Sequence, residues 1–440
     1  MNIFKYITVL FLIFSTTIYS QTDSLLTKAE AVKLVLENNY GVLMATNNVE
    51  IASNNASIYN SGYLPTVNAN AAANYNLTDT ENKNQDNSTV KINNAEREVY
   101  NASLGVNYTL FDGFGRKYNY QRLKETENLS ELEAKTVIEN ALLQLFNVYY
   151  DVAQLTENNK NIKQSLTISK NRLQRAQYAY DYGQQTKLDV LNAEVDYNND
   201  SINYLNASQL LKNTKRNLNY LLGRNATINF EVNTTIKSYR DFNVNQLLNE
   251  AKVYNTQMLT VLKNLELSEY QIQINKANYY PKLSFSTYYN YNQIDNDDSY
   301  LYAQQLSKGL NAGLSLNWNI FDGGFTKTKI ANAKINNLNL QIQKNQIEHE
   351  IETEILNAYE VYKNALFVLQ AEQQNVATSE INFNRSQEYF KLGQINSIEF
   401  RQAQLNLFNA KTNLNAAKYN AKVAELRILQ LTGQLLMLEF

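Results

Sequence analysis

The feature that most constrains this chain is that it contains itself twice. Leu110-Phe111-Asp112-Gly113 recurs as Ile320-Phe321-Asp322-Gly323, Tyr182-Gly183-Gln184 as Leu392-Gly393-Gln394, and Leu222-Gly223 as Thr432-Gly433. All three landmarks share one offset (321 − 111 = 210). Upstream, Tyr63-Leu64-Pro65 matches Tyr279-Tyr280-Pro281 at a longer one (281 − 65 = 216), so six extra residues lie between Pro65 and Phe111. The polar run Thr78 to Glu98 is the expected place for them, as a loop that tolerates insertion. Two copies of one supersecondary unit are therefore expected, over residues 21–240 and 241–440.

Each copy changes period twice. Leu26 to Asn60 and Asn243 to Asn278 are rich in helix formers and free of proline, which predicts a helix in each. Pro65 and Pro281 follow, and proline disfavours helix in the residue before it. Strict alternation comes next. Val67, Ala69, Ala71, Ala73 and Tyr75 share a face, as do Leu104, Val106, Tyr108 and Leu110. In the second copy Leu283, Phe285, Thr287, Tyr289 and Tyr291 do so, then Leu310, Ala312, Leu314, Leu316, Trp318 and Ile320. This predicts strands at about 64–76, 99–111, 282–292 and 310–321.

Beyond Gly113 and Gly323 the sequence is helix-compatible over 114–181 and 324–391, roughly 100 Å of helix at about 1.5 Å per residue. Gly183 and Gly393 break it, and helices return over 185–222 and 395–436, the first followed by a linker. Leu188, Leu191, Val195, Ile202 and Leu205 fit a heptad seam, with Asn198 as a polar exception, so each long pair is expected to be a coiled-coil hairpin.

Composition removes whole classes of function. With no cysteine and one histidine, His349, thiol chemistry, disulfides and multi-histidine metal sites are out of reach. A net charge of −2 argues against a nucleic-acid partner. No nucleophile–base pairing, phosphate loop or metal spacing points to an enzyme, and no cofactor is expected. Met44 and Met258 stand alone, with no methionine cluster for a soft metal. Residues 1–20 read as a signal peptide, with Lys5 ahead of the apolar run Ile7 to Phe14 and Ser20 at the cleavage point.

The strand segments bear one charge, Lys282, against roughly nine at the chain's average of 19% over about fifty residues. One face is apolar and aromatic, the other small and polar, as in a transmembrane barrel. A soluble sheet with one buried face alternates in the same way. Four strands cannot close a barrel, and open edges are not tolerated in lipid, so several chains must pool them. Two chains would give eight strands filled by side chains; three would give twelve and room for a lumen, which the Asn, Ser and Gly faces favour.

In this order, twice at one spacing, the Phe-Asp-Gly step and the Tyr/Leu-Gly-Gln bend resemble the TolC family of outer-membrane efflux proteins, over about Leu25 to Leu436. The resemblance implies an α+β membrane protein of the cell outer membrane: a homotrimer whose twelve-stranded barrel, four strands per protomer, continues into a long periplasmic α-helical barrel. An equatorial region surrounds its middle, at the linker. It implies a passive conduit in a tripartite efflux or type I secretion system, with a periplasmic adaptor and an inner-membrane pump of RND or ABC type.

The adaptor would meet the tips around Tyr182, Gly183, Gln184, Leu392, Gly393 and Gln394, and the barrel-to-helix turns would be Phe111-Asp112-Gly113 and Phe321-Asp322-Gly323. A periplasmic gate would involve Asp189 and Glu399, as rings of carboxylates; these two are otherwise solvated helix-surface acids. Relatives carry a second acid where Gln402 stands, a hydrogen-bonding tyrosine at Phe390 and an arginine at Ile395, so the closing bonds differ here. A coiled-coil scaffold or adaptor without a pore is the competing reading.

Overall fold

The computed structural model describes residues 24–236, 238–298 and 300–438, so the expected signal peptide lies outside the described residues. Six strands and eight α-helices follow in order: β1 (Ser24–Leu26), α1 (Lys28–Asn38), α2 (Tyr40–Asn55), β2 (Thr66–Lys83), β3 (Thr89–Phe111), α3 (Gly115–Asp181) and α4 (Lys187–Leu221). Then come β4 (Phe230–Val232), α5 (Val244–Tyr254), α6 (Thr256–Ala277), β5 (Lys282–Asn296), β6 (Gln304–Asn317), α7 (Phe325–Lys391) and α8 (Ser397–Leu431). The bounds of α3 and α7 are 210 residues apart at both ends, as are those of α4 and α8. Among the described residues no helix is long and apolar enough to cross a membrane.

The chain divides into two compact units. One holds the sheet of β2, β3, β5 and β6 with the neighbouring ends of α2, α3, α6 and α7 (Asn47–Ala134 and Gln257–Ile347). Its sheet order is β2-β3-β5-β6, all antiparallel. The register sorts the side chains by chemistry. Ala69, Leu104, Tyr289 and Leu310 stand in one row across all four strands, while Asn70, Ser103, Asn290 and Gly309 form the next. Because a one-residue slip would exchange the two faces, the alternation itself specifies this pairing.

Two strand expectations change. The loop expected over Thr78 to Glu98 is mostly ladder: β2 runs on to Lys83 and β3 starts at Thr89. Thr80 and Asn94 correspond to Asn296 and Gln304 at the two offsets; thirteen residues separate the first pair and seven the second. The six extra residues therefore lengthen a ribbon, through a bulge after Thr78, rather than a loop. Charges begin on this part, from Asp79, and at Glu98, Asp295 and Lys308, leaving a charge-free band of about ten residues per strand. The fourth strand ends at Asn317, short of Trp318 and Ile320. Its partner there is Lys282, and Pro281 before it has no N–H to extend the ladder.

The other unit (the stretch up to Thr46, Lys135–Thr256, and Glu348 onward) is helical. Its core gathers Leu142, Phe146 and Tyr149 of α3 with Leu218, Leu222 and Leu429. Missing from the sequence reading is a two-stranded parallel sheet of β1 and β4, the latter within the linker. The Tyr149 hydroxyl donates to Leu26 O (2.8 Å) and accepts from Asn233 N (3.0 Å), fastening both strands to α3.

The expected single helices over Leu26 to Asn60 and Asn243 to Asn278 are broken, at Asn39 and Asn255, whose ψ is near 125°. The Asn39 side chain accepts from Gly41 N and Val42 N, starting α2, and donates to Leu221 O at 2.9 Å. Asn255 donates to Leu431 O at 2.9 Å. The amide side chain offers the backbone a local alternative to helix and closes the returning helix as well. Gly223 and Gly433 sit at those helix ends with φ of +64° and +68°, where a Cβ would lie 2.3 Å from Asn38 O and Tyr254 O.

Candidate functional site at the hairpin ends

Each hairpin end is built from two capping devices. Gln184 N donates to Ala179 O and Gly183 N to Tyr180 O, closing α3 in a Schellman motif around Gly183 (φ +72°). Gln394 N to Tyr389 O and Gly393 N to Phe390 O repeat it on α7. The chain then turns straight into α4 and α8 through capping boxes. Asp189 accepts from Thr186 N (3.0 Å) and Thr186 Oγ1 (2.7 Å), and Glu399 accepts from Asn396 N (3.1 Å). The two acids expected at a gate thus each organise a helix start, and the helix dipole favours a negative charge there. Tyr182, Gln184, Leu392, Gln394 and Gln402 are exposed and Phe390 half-buried. Phe390 stacks on Phe400 (4.8 Å between centroids) and lies under the Arg175 guanidinium (5.3 Å). The Lys187 ammonium lies over the Tyr180 ring, 5.5 Å from its centroid.

Above the ends lies a buried ionic network that sequence reasoning missed. Arg401 of α8 grips Asp200 of α4 through two hydrogen bonds of 2.8 Å. Ser165 (3.3 Å) and Ser169 of α3 donate to the same carboxylate. Arg172 pairs with Asp196 at 3.1 Å and donates to Ser397 Oγ at 2.6 Å. Gln404 donates to Ser165 O and Oγ. Burial pushes the Asp200 carboxyl up, but the bonds from Arg401 and Ser169 outweigh it and hold the group below the usual carboxylate range. Spacing offered one hint: Asp196 and Asp200, and Ser165 and Ser169, are i,i+4 pairs on one helix face.

The heptad seam expected along Leu188, Leu191, Val195, Ile202 and Leu205 needs correction. All five are exposed; α4 buries Val190, Ala193 and Asp200 instead, with Ala176 of α3 packing on the first two. Small residues there let the helices approach, and the more apolar stripe faces away. Hydrophobic period shows that a stripe exists without saying what it meets.

At the head of the long helices, Asp112 Oδ2 accepts from Arg116 N (2.9 Å), and Asp322 accepts from Gly324 N (3.1 Å) and Thr326 N (2.8 Å). The Asp of each Phe-Asp-Gly step is a helix cap. Phe111 closes β3, whereas Phe321 lies past the end of β6. His349 is 83% exposed, beside Glu352. Among the described residues no three His, Asp or Glu side chains gather as around a metal.

The family model described as "Outer membrane efflux protein" matches residues 31–224 and again 247–434. The chain is similar to the outer membrane protein TolC of Vibrio cholerae, 20% identical over 418 residues covering 92% of this chain and 90% of that one. It is also similar to the outer membrane efflux protein BepC of Brucella suis, 21% identical over 406 residues, 91% and 83% of the two chains. Among solved structures, the CmeC outer membrane channel of Campylobacter jejuni superposes with a TM-score of 0.77 at 16% identity, covering 96% of this chain and 91% of that one. The outer membrane protein VceC of Vibrio cholerae gives 0.72 at 14%, covering 92% and 96%. At such identities these two likenesses speak for a shared fold.

Proposed function

Since the chain belongs to the outer membrane efflux protein family, we propose that it is the duct of a tripartite export system, three copies forming a passive conduit with a periplasmic gate. Its place is the outer membrane and its family's work is efflux. The observation that carries the duct is the sheet: a charge-free band with one apolar exposed face, Leu314 at 67%, and two unpaired edges. Backbone edges in lipid must be paired, so the four strands become a complete structure only within a larger barrel. Three chains of four strands give twelve, wide enough for the Asn, Ser and Gly rows to line water. The two matched stretches begin 216 and end 210 residues apart, which supports reading the protomer as a tandem repeat. An adaptor would dock on the exposed tips at Tyr182 and Leu392, with an inner-membrane pump of RND or ABC type supplying energy and cargo.

Asp189 and Glu399 would each set a ring of three carboxylates at the gate, attracting cations. Purified protein in a planar bilayer is expected to give cation-selective conductance, and Glu399→Ala to lower that selectivity. Unchanged selectivity in the variant removes Glu399 from the constriction. A soluble single chain that needs no detergent sinks the duct and leaves the scaffold reading.

A further inference from the structure

Where the sheet gives way to the long helices, the charges are nearly all of one sign. From Phe111 to Lys124 and from Phe321 to Lys334 there are seven lysines and arginines and two acids, Asp112 and Asp322, both engaged as helix caps. The whole chain, by contrast, has 40 basic residues to 42 acidic ones. The repeat keeps a lysine at two of these sites in both halves, Lys117 with Lys327 and Lys124 with Lys334, each pair 210 residues apart. All four are exposed, and among the described residues none of them is in an ion pair. Immediately beyond, at Glu125, ordinary pairing resumes, with Lys263 of α6 at 2.6 Å. Helix formation does not ask for these cations. Lys117 and Lys327 are each the third residue of a helix, where the dipole disfavours positive charge.

The lysines lie beneath the apolar face of the sheet. Phe111 stands opposite Leu283, itself opposite Leu316, so that face reaches the end of β3. The Phe114 ring packs edge-on against Phe111, centroids 5.4 Å apart, and is 54% exposed. Phe114, Lys117 and Lys124 follow at helical intervals along one exposed stripe. Phe114 has φ of +67°, a left-handed conformation that bulky side chains rarely adopt, where the second half has Gly324. There Phe325, 60% exposed, supplies the ring, with the Lys329 ammonium 4.3 Å from its centroid. We propose that this collar of phenylalanines and lysines seats the anionic headgroups of phospholipids in the periplasmic leaflet of the outer membrane. It rests on the outer-membrane duct proposed above and adds a lipid to it. The charge-free band occupies the hydrocarbon layer, the rings its boundary and the ammonium groups the phosphate level. Side chains on a helix lean toward its N-terminus, here the membrane end, so Lys124 reaches back across part of the roughly 10 Å that separate it from Lys117. The far end of the sheet has the opposite balance, with Glu98 facing Asp295 across the ladder, so a lipid phosphate is favoured at the helical end.

Native mass spectrometry of the full chain in neutral detergent, mixed with equal phosphatidylglycerol and phosphatidylethanolamine, counts the lipids that each particle retains. Retention is expected to favour phosphatidylglycerol roughly tenfold, a preference that fades as salt is raised. Lys117→Gln, Lys124→Gln, Lys327→Gln and Lys334→Gln together are expected to bring the two lipids to parity. The same four positions changed to arginine, which keeps the charge, are expected to hold the preference. Because the four side chains are exposed, both variants should keep the particle mass and the circular dichroism of the native chain. In a three-chain particle, a preference that survives the glutamine changes, or is absent from the native chain, overturns the collar and leaves the duct standing. Displacement of phosphatidylglycerol by inorganic phosphate at constant ionic strength overturns it in favour of a free-anion site. A particle with the mass of one chain that needs no detergent overturns the duct and the collar with it.

Discussion

α4 and α8 are the same helix twice, each of 35 residues, each opened by a capping box and each ended beside a left-handed glycine. They differ in the face turned toward the rest of the molecule. Where α8 offers Arg401, Gln404 and Asn415 to α3, the matching positions of α4 are Leu191, Glu194 and Leu205, with the two leucines exposed. One seam is polar, buried and internal to the chain; the other is apolar and open. The polar seam fixes which residue meets which, because Arg401 is matched to Asp200, Arg172 to Asp196 and Gln404 to Ser165. The apolar stripe supplies area to bury and little direction. A buried ionic network is weak evidence of stability but good evidence of a required arrangement, because a wrong pairing would leave a charge unpaired.

Breaking the polar seam is expected to have the largest effect. Asp200→Ala leaves the buried Arg401 with only its longer carboxylate contact, to Asp196 at 3.6 Å, and should cost about 3 kcal/mol. Asp200→Leu with Arg401→Met should recover most of it, as read by denaturant unfolding in detergent; equal losses in both variants would show that packing, not charge, holds the seam. At the open seam, Leu205→Asp should leave the helix content unchanged while removing about 2–3 kcal/mol per interface. Sedimentation would show this as particles of fewer chains, and an unchanged mass would separate the stripe from assembly.

Two glycine pairs sharpen the contrast between packed and open ends. Gly433→Ala should cost about 2 kcal/mol, from left-handed strain plus the close Tyr254 carbonyl, and Gly393→Ala about 1 kcal/mol, with only open space around its Cβ. Removal of the capping-box carboxylates by Asp189→Ala or Glu399→Ala should lower the thermal midpoint by the equivalent of about 0.5 kcal/mol each.

The smallest effect is in pH dependence, where two carboxyls of this unit have opposite signs. Asp200 is held below its unfolded value of about 3.9, so its contribution is complete above that value and is lost as pH falls through the folded one. Burial pushes Glu139 up, with Lys135 and Thr256 only partly offsetting it. Its folded form keeps the proton longer, so stability is greatest below about 4.3 and declines as pH rises through the folded value. Glu139→Gln should remove that decline from a stability profile taken between pH 4 and 7; an unchanged slope assigns it to other groups.

What could be read in the residues followed from local period. Alternation placed four strands and their faces, and proline-free runs placed α3 and α7 within a residue of their observed starts. Contacts spanning hundreds of residues were out of reach. Arg401 and Asp200 lie 201 positions apart, and no spacing rule brings them together. The break at Asn39 was hidden for another reason: asparagine is tolerated inside helices, and its local cap on Gly41 N and Val42 N is joined here by a bond to the distant Leu221 carbonyl. At the tips, sequence located Asp189 and Glu399 as the leading acids of their helices, while their capping role depends on side-chain geometry.

The lengthened ribbon of β2 and β3 has a consequence for exposure to proteases. A protease holds its substrate as an additional extended strand, which requires free backbone N–H and C=O groups. The residues from Thr80 to Lys83 and from Thr89 to Ile92 are paired with each other along one edge, so neither strand can enter a protease cleft without first leaving the ladder. The short turn Asn84 to Ser88 lies outside that ladder, and even there Asn84 N donates to Ser88 O at 2.8 Å. Six additional residues thus extend the structure outward while adding almost no cleavable chain.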